Sequence, residues 1–120
     1  MLAKKYRLRK NSEFVATYAQ KKHVVNEYII LNLGKQKPFL DYITKVAFVV
    51  SKKIDKRAVV RNKIKRRMRE AYWELIKENP NYNQWMSLIF SAKKECISTD
   101  YQNIKAQLKD IIEKAHKKYV

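Results

Sequence analysis

Residues 59–72, VVRNKIKRRMREAY, constrain the fold of this chain more than any other segment, because they carry six cationic side chains on fourteen residues. The cations are Arg61, Lys63, Lys65, Arg66, Arg67 and Arg69, and Asn62 stands among them. Apolar residues recur at helical spacing in and just beyond the same stretch, at Val60, Ile64, Met68, Ala71, Tyr72, Leu75 and Ile76. The pattern predicts a long helix that packs its apolar stripe on the protein and turns a cationic face outward.

The charge of the whole chain points to a polyanionic partner. Lys and Arg number 28 against 11 Asp and Glu, for a formal charge of +17, whereas a magnitude of about 2 to 8 suffices to keep a small domain in solution. Nucleic acid is the first candidate partner and an anionic membrane surface the second. With 120 residues, 46% of them hydrophobic, we expect one domain over 1–120, with a basic arm at 1–10.

The remaining segments predict an α+β fold with a small mixed sheet and three helices, in the order α-β-β-(β)-α-β-α. Strands are expected at 24–33, 42–51 and 84–91, and a further edge strand could lie within 34–45. Helix starts are predicted at Asn11 or Ser12, at Asp55 for the basic helix, and at Ser98 or Thr99 for the last helix. The last helix has a buried stripe of Tyr101, Ile104, Leu108, Ile111, Ile112 and Ala115.

The cationic face favours RNA as the partner. Between residues 59 and 73, Glu70 is the only acid, so ion pairs along the helix do not neutralise the cationic face. On an ordinary solvated helix such pairs would neutralise it. Arginine offers a planar, weakly hydrated fork that suits phosphates, and Asn62 adds an amide for a base edge or a 2′-hydroxyl. No helix closely precedes this one and no zipper heptads follow, which argues against the common DNA-binding arrangements.

A second candidate surface combines aromatic and basic side chains. Phe14 and Tyr18 share a face of the first helix, and Tyr28 lies on the first predicted strand. They could line a groove between helix and sheet, with Arg7, Arg9 and Lys10 at its mouth. Aromatic rings beside cations are how single strands are held, by base stacking and phosphate attraction. The alternative is that these rings belong to the core, although the two tyrosine hydroxyls favour a wetter position.

Catalytic and metal-binding constellations are missing from the sequence. The acids are scattered, Cys96 is a lone thiol, and two histidines, His23 and His116, do not complete a tetrahedral zinc site. We therefore predict no catalytic residues, no metal and no cofactor bound by the protein. No apolar run approaches the roughly 20 residues of a membrane span. The absence of a disulfide pair suits a reducing compartment, and we expect a cytoplasmic protein.

The segment 51–72, SKKIDKRAVVRNKIKRRMREAY, resembles the signature of the protein subunit of bacterial ribonuclease P. The core of that signature, Arg-Asn-x-x-Lys-Arg, is met at Arg61, Asn62, Lys65 and Arg66, with Ala58 before it and Arg69 after it. Residues 7–14, RLRKNSEF, are similar to the family's N-terminal segment, and residues 86–94, MSLIFSAKK, to its late strand and basic turn. Residues 54–57 depart from the family, since Asp55 stands where many members have Gly.

The resemblance implies a fold like the second domain of ribosomal protein S5, with a left-handed β-α-β crossover where base rates favour a right-handed one. It implies that the protein binds a catalytic RNA, which uses Mg²⁺ to remove the 5′ leader of precursor tRNA. The residues it assigns to the catalytic RNA are Lys52, Lys53, Arg57, Arg61, Asn62, Lys63, Lys65, Arg66, Arg67 and Arg69. The leader cleft would contain Arg7, Arg9, Lys10, Phe14, Tyr18 and Tyr28.

Three other functions compete with this interpretation. A ribosomal or ribosome-assembly protein has the same composition. A nuclease acting without RNA would need an active site that the sequence does not display. A membrane-surface role is disfavoured, because the apolar stripe at 60–76 is needed by the sheet.

Overall fold

A computed structural model describes residues 4–39 and 41–119. The helices are α1 (Asn11–Ala19), α2 (Ala58–Glu78) and α3 (Tyr101–Tyr119). The strands are β1 (Lys22–Val25), β2 (Ile29–Leu33), β3 (Lys45–Val49) and β4 (Ser87–Ala92). They form one sheet in the order β1-β2-β4-β3. Strand β2 pairs antiparallel with both β1 and β4, and β3 pairs parallel with β4. This is the predicted α+β fold with a mixed sheet and three helices.

The two faces of the sheet carry different layers. Helices α2 and α3 cover one face, where their apolar stripes meet Ile29, Leu31 and Leu33 in the main core. The predicted stripe residues Ile64, Met68, Ala71, Tyr72 and Leu75 of α2 are all buried. Helix α1 lies on the other face, over a smaller cluster that includes Ala47 and Ile89.

The prediction of a single strand at 24–33 is wrong, because the structure has a hairpin there. Asn26 makes the turn: its Oδ1 accepts hydrogen bonds from the backbone N–H groups of Tyr28 (2.9 Å) and Ile29 (2.8 Å). Its Nδ2 donates to the carbonyl of Gln107 (3.1 Å), which ties the turn to α3. The fourth strand thus comes from this split. Within the described part of 34–45, the only pairing before β3 begins is an isolated bridge between Gln36 and Trp85.

Helix α1 begins at Asn11, as predicted, but the predicted capping residues are wrong at all three helices. Lys10 and Arg57 occupy the cap positions of α1 and α2, with no capping side chain of their own. The carboxylate of Glu13 reaches back to the Lys10 backbone N–H at 3.2 Å. Before α3, Asp100 Oδ1 accepts from the Asn103 backbone N–H at 2.9 Å, so Asp100 takes the capping role predicted for Ser98 or Thr99.

The predicted basic arm is partly built into the fold. Residues 4–6 form a 3-10 turn, and the ring of Tyr6 lies 5.6 Å from that of Trp73 on α2. The Leu8 backbone N–H donates to the Val46 carbonyl at 3.0 Å, on the outer edge of β3. Residues 1–3 lie outside the described part of the chain. The connection from β3 through α2 to β4 joins parallel strands, and its left hand stays a prediction of the resemblance.

Candidate nucleic-acid interface

The turn that precedes α2 fixes the start of the basic helix. Asp55 Oδ1 accepts hydrogen bonds from the backbone N–H (2.8 Å) and the Nε (3.1 Å) of Arg57, and Asp55 Oδ2 accepts from Nη2 at 2.9 Å. These bonds from Arg57 lower the pKa of the Asp55 carboxyl to about 2. Ile54 packs against the main core, while Lys52 and Lys53 are exposed on the same turn. The aspartate thus orders the loop that presents this basic pair.

Three of the predicted RNA-binding arginines make bonds within the protein. Arg57 is held by Asp55 but stays largely exposed. Arg61 Nη1 donates to the carbonyls of Asp55 (3.0 Å) and Lys56 (2.7 Å). Arg67 Nη1 donates to the Thr99 carbonyl at 3.1 Å, which ties α2 to the segment before α3. These three side chains shape the surface as well as charging it.

The other cations of the helix are not neutralised by the protein. In the described residues, no acid forms an ion pair with Lys63, Lys65, Arg66 or Arg69. Together with Val59 and Asn62 they line a surface depression of about 500 Å³ on α2. We call these six residues the basic face. Val59 is 79% exposed in the middle of this charge, so the face offers an apolar contact besides its cations.

A groove of about 440 Å³ lies beside the basic face. It is lined by Arg7, Leu8, Arg9, Phe14, Lys65, Arg69 and β3 residues 46–49. Phe14 stands over the small cluster formed by Leu8, Ala47, Val49 and Ile89. Lys65 and Arg69 belong to both the groove and the basic face. The groove and the basic face therefore form one continuous surface, joined at these two side chains.

Helix α1 is fixed over the sheet by polar contacts, which sets the position of Phe14. The Glu13 carboxylate lies 2.8 Å from Lys45 Nζ, and the hydrogen bond from Lys45 lowers the pKa of Glu13. Thr17 Oγ1 donates to the Glu13 carbonyl at 2.8 Å and lies 2.6 Å from Ser87 Oγ. Because the threonine has a single hydroxyl hydrogen, the serine is the donor of that second bond.

Gly34 is required where β2 leaves the sheet beside β4. A Cβ at Gly34 would lie 2.1 Å from Ser87 Oγ, the atom that holds Thr17 of α1. The Gly34 backbone N–H donates to the Ser87 carbonyl at 2.9 Å. Any side chain at this position would displace the serine and, with it, the seat of α1.

The structure brings together some of the predicted cleft residues and separates others. Arg7, Arg9 and Phe14 line the groove. Tyr18, one turn further along α1, is 46% exposed and lies outside the groove lining, as does Lys10. Tyr28 is half-buried and packs against the main core, where its carbonyl accepts bonds from the Lys93 N–H and Cys96 Sγ. Its position favours the core alternative for Tyr28.

Residues 4–39 and 41–119 offer no metal-ligand cluster. No three His, Cys, Asp or Glu side chains in this part of the chain cluster as metal ligands would. Cys96 is buried, and that burial raises the pKa of its thiol to about 11. None of the described helices is both long enough and apolar enough to span a membrane.

Comparison with known proteins identifies the family. The family model described as Ribonuclease P matches residues 2–116. The chain belongs to the ribonuclease P protein family. A relative named ribonuclease P protein component, from a Cyanothece species, is 30% identical over 128 residues, covering 96% of this chain and 95% of the relative. One of the same name from Bacillus cereus is 31% identical over 120 residues, covering 99% and 98%.

Solved structures agree with this assignment. The RNase P protein of Staphylococcus aureus superposes with a TM-score of 0.75 at 27% identity, over 92% of this chain and 94% of that one. The protein from Thermotoga maritima shows the same fold, with a TM-score of 0.71 at 22% identity over 90% and 96%. The predicted family is thus confirmed along nearly the whole chain.

Sequence reasoning missed two parts of this interface. The outer edge of β3 forms one wall of the groove, through residues 46–49, although the sequence indicates only a buried strand. Val59 is exposed on the basic face, and its neighbour Val60 carries the packing instead. Helical spacing favours Val60 over Val59 as the buried residue, so a helical wheel that starts at residue 59 predicts the exposure of Val59.

Proposed function

We propose that the basic face of this chain binds the catalytic RNA of ribonuclease P and that the groove binds the 5′ leader of precursor tRNA. Family membership makes the chain the protein subunit of an RNA-based endoribonuclease that acts in tRNA 5′ processing. The observation that supports the finer assignment is the continuity of face and groove through Lys65 and Arg69. Such a surface can hold a structured RNA and a single strand side by side.

The basic face suits a folded RNA. Its cations have no acidic partner in the described structure, so phosphates can supply the missing negative charge and release their counterions. Lys52, Lys53 and Arg57 extend the charge onto the preceding turn, where they are exposed. Asn62 adds an amide that can hydrogen-bond a base edge or a sugar, and Val59 adds an apolar contact. The ammonium groups of the lysines do not supply these interactions.

The groove suits a single strand. Phe14 offers a half-buried ring for stacking, while Arg7, Arg9, Lys65 and Arg69 surround it with positive charge. Tyr18 continues the aromatic row on α1 beyond the groove. A leader lying along this path would bring affinity that mature tRNA, which has no leader, does not receive.

The protein's contribution to the reaction is binding and positioning. Its cations reduce the repulsion between two RNA molecules, and the groove directs the leader away from the junction with the mature tRNA. Cleavage itself belongs to the RNA partner, with Mg²⁺ held by that RNA. We place the assembly in the cytoplasm, as the composition predicts.

Reconstitution tests the proposed function. Catalytic RNA is combined with precursor tRNA at low Mg²⁺, with and without this protein, and cleavage and substrate affinity are measured. The protein should raise cleavage and tighten binding of precursor more than of mature tRNA. Equal affinity for the two substrates would contradict the leader assignment, and cleavage by the protein alone would support an RNA-free nuclease instead.

Replacement of the α1 aromatics tests the groove. Phe14→Ala and Tyr18→Ala should each weaken binding of long-leader precursor by about 1–3 kcal/mol where a base stacks on the ring. Val15→Ala is the matched control, because Val15 is on the same helix and 59% exposed. A loss of the same size with mature tRNA would count against stacking of the leader.

Identification of the RNA that is captured with the protein distinguishes the proposed function from the ribosomal alternative. A ribosomal or ribosome-assembly protein would enrich ribosomal RNA. The proposed function predicts one abundant structured RNA together with tRNA precursors.

A further inference from the structure

Lys21 adopts a backbone conformation that side chains disfavour. Its φ is 55°, and it is the only residue other than glycine with a positive φ in the described parts of the chain. In this left-handed region the Cβ crowds the following carbonyl oxygen, so glycine usually occupies it. Lys21 directly follows Gln20, the C-terminal cap of α1, where helices commonly place glycine. A lysine at this point keeps a positive charge at the cost of local strain.

The strain at Lys21 serves the end of α1. The Lys21 backbone N–H donates to the Tyr18 carbonyl at 3.1 Å, and the Gln20 N–H donates to that of Thr17 at 3.3 Å. The chain then turns directly into β1, an edge strand of the sheet. Glycine would make the same turn without the strain, so the turn itself does not explain the lysine.

Two further lysines meet a fixed aromatic ring beside this turn. The Nζ atoms of Lys22 and Lys118 lie 5.9 and 5.3 Å from the centroid of the Tyr119 ring. The Tyr119 hydroxyl accepts from the His23 N–H at 3.1 Å and donates to the His23 carbonyl at 3.3 Å. Gln36 Nε2 donates to the Tyr119 carbonyl at 3.1 Å. We call Lys21, Lys22, Lys118 and Tyr119 the β1-edge cluster.

The β1-edge cluster resembles the leader groove in chemistry but lies apart from it. None of its lysines forms an ion pair with a described acid. None of its residues lines the groove or the basic face. Tyr18 stands between the two regions along the chain, since it is four residues beyond Phe14 and three before Lys21, which follows the C-terminal cap of α1. Along the chain, the exposed Tyr18 thus lies between Phe14 of the groove and Lys21 of the cluster.

We propose that the β1-edge cluster is a second leader contact, in which Lys21, Lys22 and Lys118 bind phosphates of the part of the leader furthest from the cleavage site. The ligand is a single-stranded RNA backbone, and the fixed Tyr119 ring positions the Nζ atoms of Lys22 and Lys118 for its phosphates. This inference rests on the proposed function and extends it beyond Tyr18. It also gives a reason for the strained lysine, because its charge is used where glycine would have none.

Lys21→Gly separates folding from binding, because it removes both the strain and the charge. The midpoint of thermal unfolding should be unchanged or higher than that of the wild type. Affinity of the holoenzyme for long-leader precursor should fall about fourfold at 0.15 M salt, since each single-strand phosphate contact contributes a salt slope of about 0.7. Lys21→Arg should restore the affinity, and Lys118→Gln should reproduce the loss without altering the turn.

The length of the leader provides the internal control. With a leader trimmed to its last nucleotides, wild type and Lys21→Gly should bind equally, because the RNA no longer reaches the cluster. A loss that persists with mature tRNA, or in binding of the catalytic RNA alone, would overturn the inference in favour of a contact with the catalytic RNA. Wild-type affinity of Lys21→Gly for long-leader precursor would also overturn it.

Failure of this inference is distinguishable from failure of the proposed function. If the wild-type protein itself brings no preference for precursor over mature tRNA, the leader groove and the cluster both fail. If the wild type shows that preference while both Lys21→Gly and Lys118→Gln keep it for long leaders, the groove stands and the cluster alone fails.

Discussion

The two halves of α2 differ in whether their charges are paired within the protein. In the C-terminal half, Glu74 and Glu78 both pair with Lys105 of α3, at 3.0 and 2.9 Å. Glu74 also accepts a hydrogen bond from the Tyr101 hydroxyl, and these bonds keep its pKa below the usual range. In the N-terminal half, the cations of the basic face have no acidic partner in the described structure.

The difference shows which charges belong to the fold. Charges that join α2 to α3 are neutralised where they stand, so they need no partner from outside. Charges on the basic face repel one another and are relieved when phosphates arrive. Under the proposed function, the same helix is a structural element at one end and an RNA-binding surface at the other. Four predictions test this division, beginning with the apolar stripe that both halves share.

Met68→Ala should have the largest effect, on stability. Met68 is fully buried between the two halves of α2, so its truncation leaves a cavity in the main core. We expect a loss of about 2–5 kcal/mol in the free energy of unfolding, measured by urea denaturation. Val59→Ala, at a 79% exposed position, should change that free energy by less than about 0.5 kcal/mol. Similar losses in the two variants would mean that the stripe does not anchor the helix.

Arg66→Gln should have the largest effect on binding of the catalytic RNA among single charge changes on the exposed part of α2. Removal of one phosphate contact should weaken binding about fivefold at 0.15 M salt and reduce the salt slope by about 0.9. Arg67→Gln is the matched control, because Arg67 donates to the Thr99 carbonyl and should affect stability more than binding. Affinity that does not change between low and high salt would contradict the electrostatic role of the face.

Lys105→Gln should show the opposite pattern. The hydrogen bonds to Glu78 and Glu74 raise the pKa of Lys105 above its ordinary value, so its charge serves the contact between α2 and α3. We expect a small fall in the unfolding temperature, because solvent-exposed ion pairs contribute little. Affinity for the catalytic RNA should stay at the wild-type value. A loss of RNA affinity as large as that of Arg66→Gln would remove the distinction between the two halves.

Acid titration should reveal the smallest effect, at the turn before α2. The folded pKa of Asp55 is about 2, below the usual unfolded value near 4, so its stabilising effect is present above pH 4 and is lost as the pH falls toward 2. Asp55→Asn should be slightly less stable than the wild type at neutral pH, and the difference should vanish near pH 2. Unfolding midpoints compared across this range measure it, and a difference that is constant with pH would contradict the role of the carboxylate.

Much of the fold could be predicted from local patterns. The apolar stripe of α2 follows from helical spacing alone, since Ile64, Met68, Ala71 and Leu75 recur at three- and four-residue steps. The hairpin at 22–33 was missed because its turn contains neither glycine nor proline. Asn26 closes that turn with its own side chain and is held by α3, more than eighty residues away in the sequence. The local bonds of Asn26 close the turn, and its contact with α3 fixes that turn in the fold.

The candidate site could be predicted in composition but not in arrangement. The cations of the basic face and Phe14 were found from charge density and aromatic spacing. Their union in one surface depends on β3, whose outer edge lies between α1 and α2 in the lining of the groove. The order of strands that creates this edge is a long-range property of the sheet. Likewise, nothing local distinguishes Arg67, which is tied to Thr99, from its neighbour Arg66.

The role of Arg69 tests the union of face and groove most directly, because this side chain lines both. Affinity of Arg69→Gln for the catalytic RNA is measured first, followed by affinity of the reconstituted holoenzyme for long-leader precursor and for mature tRNA. A single continuous surface predicts that Arg69→Gln weakens both the catalytic-RNA complex and the preference for precursor, whereas Arg66→Gln weakens only the first. Loss of one of these properties with full retention of the other in Arg69→Gln would show that the face and the groove act as separate sites.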